Sequence, residues 1–142
     1  MVISPFYSIA ARFAYPLPYP GAMSDSVQTL KRWHDAVNAG DIEGAVSCCA
    51  EDVAVQGPRG VGHGHDLMRG WLTRSGIRLE PQDEPVERDG RFVVREVARW
   101  TTANAPDGAS TEPTETWCVF TVAEGKLSSV ARFETEADIP PA

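Results

Sequence analysis

Residues Leu30–Val53, LKRWHDAVNAGDIEGAVSCCAEDV, encode two consecutive helices separated by a stop signal. Apolar residues recur at helical spacing, beginning just before this stretch, at Val27, Leu30, Trp33 and Val37. Upstream, Asp25 with Gln28 three residues later is typical of a helix start. Gly40 ends the first helix and Asp41 caps a second, shorter one. A short strand is expected at 53–55.

The next segment, Gly57–Leu72, reads GPRGVGHGHDLMRGWL and combines many glycines with two histidines. Its second half carries an apolar stripe that predicts a third helix, formed by Leu67, Met68, Trp71 and Leu72. Ser75–Gly76 ends that helix. We interpret the first half as a turn-rich crossing into the helix.

The rest of the chain has the pattern of β-structure. Short strands at 77–79 and 86–88 are interrupted by prolines, and a long strand at 92–101 follows the turn signal Asp89–Gly90. A polar loop at 102–113 leads to a second hairpin around Glu124–Gly125. The order predicts an α+β fold in which three N-terminal helices lie on one side of a bent antiparallel sheet.

A two-residue turn at Glu124–Gly125 would fix the pairing of the last two strands. Val122 would then oppose Leu127, and the pairing would continue through Phe120–Ser129, Cys118–Ala131 and Thr116–Phe133. On the other face Trp117 would oppose Arg132, where the guanidinium can stack on the indole ring. Glu115 and Glu134 would flank that pair and balance its charge; the alternative is a solvated or dimer-facing cluster.

Composition restricts the class of protein. The chain has 142 residues, enough for one domain with a single core, and its net charge of −7 makes nucleic acid an improbable partner. No apolar run has the length of a membrane span. Its three cysteines lack zinc or disulfide spacing, so a reducing cytoplasm is expected, with Cys48 and Cys49 as small packing residues.

The two ends of the chain differ from the middle. Residues 1–22 are rich in aromatics and proline and carry one charge, Arg12. We expect an extension outside the core; the alternative is an arm that packs on a partner subunit. The core domain is expected over 23–136, with a tail at 137–142.

Three pieces, LKRWHDAVNAGDIEGAVSCCAEDV, GVGHGHDLMRGWL and EGKLSSVARFET, occur in an order that resembles the nuclear transport factor 2-like superfamily, and within it the SnoaL-like group. The resemblance covers about Ser24 to Thr135. It implies a cone, in which a curved sheet wraps the helices around a pocket, and a homodimer through the sheet's outer face. The superfamily includes polyketide cyclases, ketosteroid isomerase, scytalone dehydratase, limonene epoxide hydrolase and non-catalytic binding subunits. The resemblance therefore indicates where a ligand would bind, and not what happens to it.

The histidines and glycines do not indicate a metal or a cofactor. His63 and His65 could present two ligands to zinc, but a catalytic zinc site needs a third protein ligand, and the chain's remaining histidine is His34. The glycines have neither phosphate-loop nor dinucleotide-turn spacing. We expect no metal and no cofactor, with His63 as a single acid–base or hydrogen-bonding group near the pocket.

The long strand supplies a second candidate catalytic residue. By apolar count its inward face is Phe92, Val94, Ala98 and Trp100, together with Glu96. A carboxylate in or beside the pocket is a candidate general base. The alternative is an ion pair with a neighbouring arginine. Trp33 is a candidate for the pocket floor, a role compatible with ordinary core packing.

Arg132 departs from the pattern that the resemblance implies. Polyketide cyclases of the group are expected to carry an aspartate near this position of the last strand. An arginine cannot abstract a proton near neutral pH, but it can bind a carboxylate or stabilise an oxyanion.

Two functions follow. In the first, the protein binds a small, largely apolar organic molecule and performs cofactor-independent lyase, isomerase or cyclase-like chemistry. Glu96 or His63 would be the acid–base group and Arg132 the charge stabiliser, with Trp33, Trp117 and Glu115 contacting the ligand. In the second, it is a non-catalytic ligand-binding or dimerisation module.

Overall fold

The helical stretch folds as its sequence predicts. The computed structural model describes residues 25–57, 60–100 and 112–141. Helix α1 spans Asp25–Ala39, and Gly40 then takes a left-handed φ of 75°. Helix α2 spans Ile42–Ser47 and is capped by Asp41, whose Oδ1 accepts a 3.0 Å hydrogen bond from the Gly44 N–H.

The glycine-rich stretch forms more regular structure than expected. Strand β1 spans Cys49–Gly57 and pairs antiparallel with a short strand, β2, at Gly60–His63. The turn-rich crossing into the third helix therefore contains a short strand that the sequence did not predict. Helix α3, at His65–Ser75, confirms the predicted third helix, and Gly76 ends it with a φ of 55°.

Five further strands complete the chain. They are β3 (Ile77–Pro81), β4 (Val86–Arg88), β5 (Arg91–Trp100), β6 (Thr114–Ala123) and β7 (Lys126–Phe133). Both predicted two-residue turns are confirmed, because Asp89–Gly90 and Glu124–Gly125 all have positive φ. A 3-10 turn at Glu136–Asp138 follows β7.

The strands form one curved sheet in the order β2-β1-β7-β6-β5-β3, and β4 pairs with the remaining length of β5. Strands β1 and β7 run parallel, so the sheet is mixed and not wholly antiparallel as expected. The α+β prediction of a cone-shaped sheet around three N-terminal helices is confirmed.

We call the face of the sheet that packs on the helices the inner face, and the opposite one the outer face. Trp33 of α1 lies at the centre of the core, stacked on Trp71 of α3 at 6.5 Å between ring centroids and edge-on to Phe120 of β6 at 5.6 Å. Around it the core is built from side chains of all three helices and the inner face, among them Leu30, Val37, Met68, Leu72, Val94, Ala98, Cys118 and Val130.

A bulge changes the predicted pairing of β6 and β7. Val122 faces Leu127 as predicted, but Ser128 is an extra residue in β7, and Thr121 faces Ser129. Beyond the bulge the predicted partners are one residue off: Phe120 faces Val130 and Cys118 faces Arg132. One residue reverses the faces of a strand, so Arg132 joins Cys118 on the inner face and does not lie across from Trp117.

Some predictions fall on residues outside the described part of the chain. These are the extension at 1–22 and most of the polar loop at 102–113. The boundaries of the core domain and the tail at 137–142 stay predictions. No described helix combines the length and apolarity needed to span a bilayer.

Candidate functional site

A buried histidine and a buried glutamate meet where α1 crosses the inner face. His34 Nε2 lies 2.8 Å from Glu96 Oε1 of β5. Two contacts fix α1 in this position: Thr29 Oγ1 donates to the Gly125 carbonyl in the β6–β7 turn, and the Asn38 amide exchanges two hydrogen bonds with the backbone of Leu79 in β3. The helix is thus tied to the sheet on both sides of His34.

The hydrogen bonds determine how many protons the pair holds. His34 Nδ1 lies 2.8 Å from the Leu30 carbonyl oxygen, which only accepts, so Nδ1 carries a proton. Nε2 and Oε1 then need one proton between them to form their bond. The pair is either imidazolium with carboxylate or neutral imidazole with carboxylic acid. In both forms a single proton is shared across the 2.8 Å contact.

The environment of His34 favours its charged form. Burial acts to lower its pKa, but the charge of Glu96, the hydrogen bond to that carboxylate and the bond to the Leu30 carbonyl outweigh it, and the pKa is raised above 6.5. His34 is therefore charged at a higher pH than a free imidazole. The electrostatics favour the imidazolium–carboxylate form of the pair, and the hydrogen-bond geometry is compatible with it.

The second oxygen of Glu96 is not used by the fold. Glu96 has no exposed surface, and its Oε2 lacks a hydrogen-bond partner among the described residues. Cys118 is a close neighbour: burial, the charge of Glu96 and a contact of the thiol with the Glu96 carboxylate raise the pKa of that thiol well above the ordinary value, and the contact does not meet the geometry of a hydrogen bond to Oε2. A buried, unpartnered carboxylate oxygen is costly, and such groups concentrate at functional sites.

Arg132 adds a positive charge to the same face. Its Nη1 donates to Thr116 Oγ1 at 3.3 Å, and its guanidinium lies 5.3 Å from the centre of the Trp100 ring. Thr116 faces Glu96 in the pairing of β5 and β6, and its hydroxyl donates to the Phe133 carbonyl at 2.9 Å. We call His34, Glu96, Thr116, Cys118 and Arg132 the inner polar cluster.

The structure separates the predicted site residues into two groups. Glu96 and Arg132 belong to the inner polar cluster, and Trp33 is buried beside it, with its ring 5.1 Å from that of His34. Trp117 and Glu115 are not brought to this cluster. Glu115 is exposed and binds Arg95, and Trp117 faces Phe133 and Arg95 across the strands, on the outer face.

His63 lies apart from Glu96. It is exposed on β2, an edge strand with β1, β7 and β6 between it and β5. His63 pairs with Ala54 of β1. Gln56, two residues further along β1, faces Ala131 on the outer face, so Ala54 and His63 lie on the outer face as well. His65 is turned elsewhere, with Nε2 2.9 Å from the Cys49 carbonyl. The described residues include no group of three His, Cys, Asp or Glu side chains arranged to hold a metal ion.

Sequence reasoning missed His34, although the sequence contained a signal. His34 follows Leu30 by four residues and precedes Val37 by three, so it lies on the apolar stripe of α1. A titratable residue on a buried stripe requires a partner, and Glu96 was already predicted to face inward. Glu96 was predicted to be either a general base in the pocket or the partner of a neighbouring arginine. It does form an ion pair, but its partner is His34 and not an arginine.

Neither of two cavities bordered by described residues includes Glu96. One, of about 470 Å³, lies between α1, α2 and the β6–β7 turn, and Arg32, Asp35 and Lys126 contribute to its lining. The other, of about 220 Å³, lies beside Arg78 near the end of α3. Around the inner polar cluster, space is filled by Trp33 and Phe120.

The element order and curved sheet define the nuclear transport factor 2-like cone fold. More narrowly, the sequence profile of the SnoaL-like domain matches residues 30–130, and the chain belongs to the SnoaL-like domain family. No curated protein matches it in sequence.

Solved structures agree on the fold. An NTF2-like protein of unknown function from Burkholderia pseudomallei is 27% identical, with a TM-score of 0.63 over 82% of this chain and 95% of that one. TerC, co-crystallized with polyporic acid, is 21% identical (TM-score 0.65; 80% and 94% covered). The epoxide hydrolase/cyclase-like enzyme SalBIII, with a role in pyran ring formation in salinomycin, is 20% identical (TM-score 0.67; 78% and 91%).

Proposed function

We propose that this SnoaL-like protein binds a small, largely apolar organic molecule on the inner face of its sheet and performs cofactor-independent acid–base chemistry on it. The observation that carries the proposal is the state of Glu96: one carboxylate oxygen is held by His34, and the other is buried without a partner. Among the residues predicted to be catalytic, Glu96 stands in such a setting and His63 does not.

The chemistry that fits is proton transfer next to a carbonyl. Glu96 Oε2 accepts a proton from a C–H or O–H group of the ligand, while His34 holds Oε1 and fixes the orientation of the carboxylate. Arg132, on the same face, stabilises the negative charge that develops on the ligand oxygen. Isomerisation, elimination and cyclisation can all begin with this step.

The relatives support the choice of ligand class. SalBIII is an epoxide hydrolase/cyclase-like enzyme, and TerC was crystallised with polyporic acid, a small organic molecule. In this chain the proposed binding location is the inner face of the sheet, which combines apolar and aromatic side chains with few polar groups.

A specific observation favours the second candidate, a non-catalytic module. Glu96 has no exposed surface and His34 is 5% exposed, so a ligand reaches the pair only when covering side chains move. Without such movement, the pair serves to hold α1 on the sheet. The test below separates the two candidates.

The homodimer stays a proposal. A row of apolar and small side chains crosses the outer face through Val86, Val93, Val119 and Ala131. Val93 and Val119 are already buried within the single chain, whereas Val86 at the end of the row is 49% exposed and Val61 on the edge strand is 58% exposed. Such a face suits a second copy of the chain. The cytoplasmic location likewise stays a prediction.

Hydrogen exchange in a bound ligand tests the chemistry. Ligands are found by mass spectrometry of co-purified molecules and by shifts in melting temperature. A carbonyl compound that binds is then incubated in heavy water, and deuterium incorporation beside its carbonyl is followed by NMR. We expect exchange with the wild type and a loss of about 100-fold or more in Glu96→Gln, which keeps the shape but cannot take the proton.

Glu115→Gln is the matched control, because it removes a glutamate from the outer face. It should exchange like the wild type. Binding without any exchange, or equal exchange in Glu96→Gln, would favour the non-catalytic module.

A further inference from the structure

Arg132 is a partly buried cation that has no acidic partner among the described residues of an acidic protein. Three other arginines bind carboxylates: Arg69 holds Glu43 and Asp66, Arg88 holds Glu136, and Arg95 holds Asp83 and Glu115. Arg132 has no carboxylate within ion-pair distance among the described residues. It contacts the hydroxyl of Thr116 and the ring of Trp100. With a net charge of −7, the chain has carboxylates in excess, yet none in the described part of the chain neutralises this guanidinium.

The guanidinium retains most of its hydrogen-bonding capacity. Arginine has five N–H donors, and one of them forms a hydrogen bond with a described residue, at the long distance of 3.3 Å. The Thr116 hydroxyl proton is committed to the Phe133 carbonyl, so Thr116 acts on Arg132 as an acceptor only. Trp100 supports the guanidinium plane from one side. A planar, pre-positioned fork of donors is the arrangement that binds a carboxylate or an enolate.

Glu96 and Arg132 share neighbours but do not pair. Thr116 faces Glu96 across the strands and accepts from Arg132. The Cys118 thiol responds to both charges, because Glu96 raises its pKa and Arg132 lowers it. The Glu96 carboxylate and the Arg132 guanidinium thus both lie beside Thr116 and Cys118, but they form no ion pair with each other.

From this arrangement we infer that the ligand of the inner face is an organic anion, a carboxylate or an enolisable acid attached to a flat apolar body, and that Arg132 binds its anionic group. The inference rests on the proposed function and adds the charge of the substrate to it. Bound at Arg132, such a molecule would place carbon atoms next to its acidic group toward Glu96. The negative field of the whole protein repels anions elsewhere, so anion binding requires a local cation.

Binding of a matched pair of probes tests the inference. Titrations with 2-naphthoate and with its uncharged amide, 2-naphthamide, are followed by tryptophan fluorescence, to which Trp100 contributes. We expect the wild type to bind naphthoate about tenfold or more tightly than naphthamide, as for a charged hydrogen bond. In Arg132→Gln the preference should disappear, and in Arg132→Lys part of it should remain, because the charge is kept without the fork.

Arg99→Gln is the control, because it removes an exposed arginine from the same region of the sheet. It should keep the full preference for naphthoate. Equal binding of the two probes by the wild type, or an unchanged preference in Arg132→Gln, would overturn the inference and leave acid–base chemistry on a neutral ligand standing. Conversely, an Arg132-dependent preference without Glu96-dependent hydrogen exchange would support anion binding and reject the catalytic proposal.

Discussion

Arg95 and Glu96 are neighbours in β5, but their side chains belong to two different electrostatic environments. Arg95 lies on the outer face, where it joins Asp83 at 2.8 Å and Glu115 at 2.9 Å, and these three side chains are 35%, 57% and 56% exposed. Glu96 lies on the inner face and joins His34 at 2.8 Å, and the side chains of Glu96 and His34 are 0% and 7% exposed. The contact distances are nearly equal, but the two groups differ in their exposure to solvent.

The difference in solvent decides what each contact can do. Water and salt screen the outer network, so its charges contribute little and tolerate substitution. The inner pair has lost its water, and its attraction must offset the desolvation of two charges. The outer network fits a surface role, whereas the inner polar cluster holds the proton and the charge that the proposed function requires.

Removing one member of the inner pair should have the largest effect on stability. His34→Leu leaves the Glu96 carboxylate buried without its partner, and we expect a loss of about 3–5 kcal/mol in the free energy of unfolding. The double variant His34→Leu/Glu96→Leu removes both charges and should recover most of this loss. Urea unfolding at a fixed protein concentration measures both.

The double variant is the control for packing at these two positions. If it is no more stable than His34→Leu alone, the loss comes from shape and not from an uncompensated charge. That result would mean that the charges of the inner pair contribute as little to stability as those of the outer network.

The second prediction concerns the pH dependence of stability, which should differ between the inner pair and the outer network. The folded-state pKa of His34 is raised, so its contribution is complete below its unfolded value of 6.5 and is lost as pH rises through the higher folded value. The stability difference between the wild type and His34→Leu/Glu96→Leu should therefore fall with rising pH above 6.5.

Above that transition the geometry itself becomes unfavourable. Nδ1 stays bound to the Leu30 carbonyl, so a deprotonated His34 would present a lone pair to a carboxylate oxygen at 2.8 Å. Unfolding midpoints across the pH range measure the change. A difference that is constant, or that grows with pH, would contradict the charge assignment of the pair. The outer network, made of arginine and carboxylates, should show no such change near neutral pH.

The helices and turns of this fold could be predicted from sequence because their signals are local. Periodicity located α1 and α3, and Asp89–Gly90 and Glu124–Gly125 marked the hairpins. Strand β2 could not be recognised, because its residues, GVGH, lack the alternation and β-branched content that identify strands. It exists through its pairing with β1.

The site was predictable in one strand and not in the next. Alternation along β5 located Glu96 on the inner face, since no bulge interrupts its pairing with β6. Arg132 required knowledge of the bulge at Ser128, and nothing in the local sequence Leu127-Ser128-Ser129 identifies which residue is extra. Without the bulge Arg132 would share a face with Trp117; with it, Arg132 lies on the inner face, and so does the charge that defines the proposed ligand.

The third prediction tests the hydroxyl that links Arg132 to the sheet. Thr116→Val keeps the shape of a fully buried side chain but removes its hydrogen bonds to Phe133 and Arg132. We expect a loss of about 1–2 kcal/mol, because a buried carbonyl loses its donor. Thr114→Val, two residues earlier on the same strand and exposed, is the control and should change stability by less than about 0.5 kcal/mol. Equal effects would show that Thr116 contributes through β-propensity and not through its hydroxyl.

The smallest effect is expected from the outer network. Glu115→Gln removes one of two carboxylates on Arg95, whose pKa is raised by its hydrogen bonds to Asp83 and Glu115. Asp83 remains in contact and water replaces the lost charge, so the unfolding midpoint should barely move, and added sodium chloride should abolish the remaining difference. Set beside Glu96→Gln, this substitution compares the same chemical change on the two faces. If Glu115→Gln were as destabilising as Glu96→Gln, the outer face would be desolvated in solution, which is the behaviour expected of a face covered by a second copy of the chain.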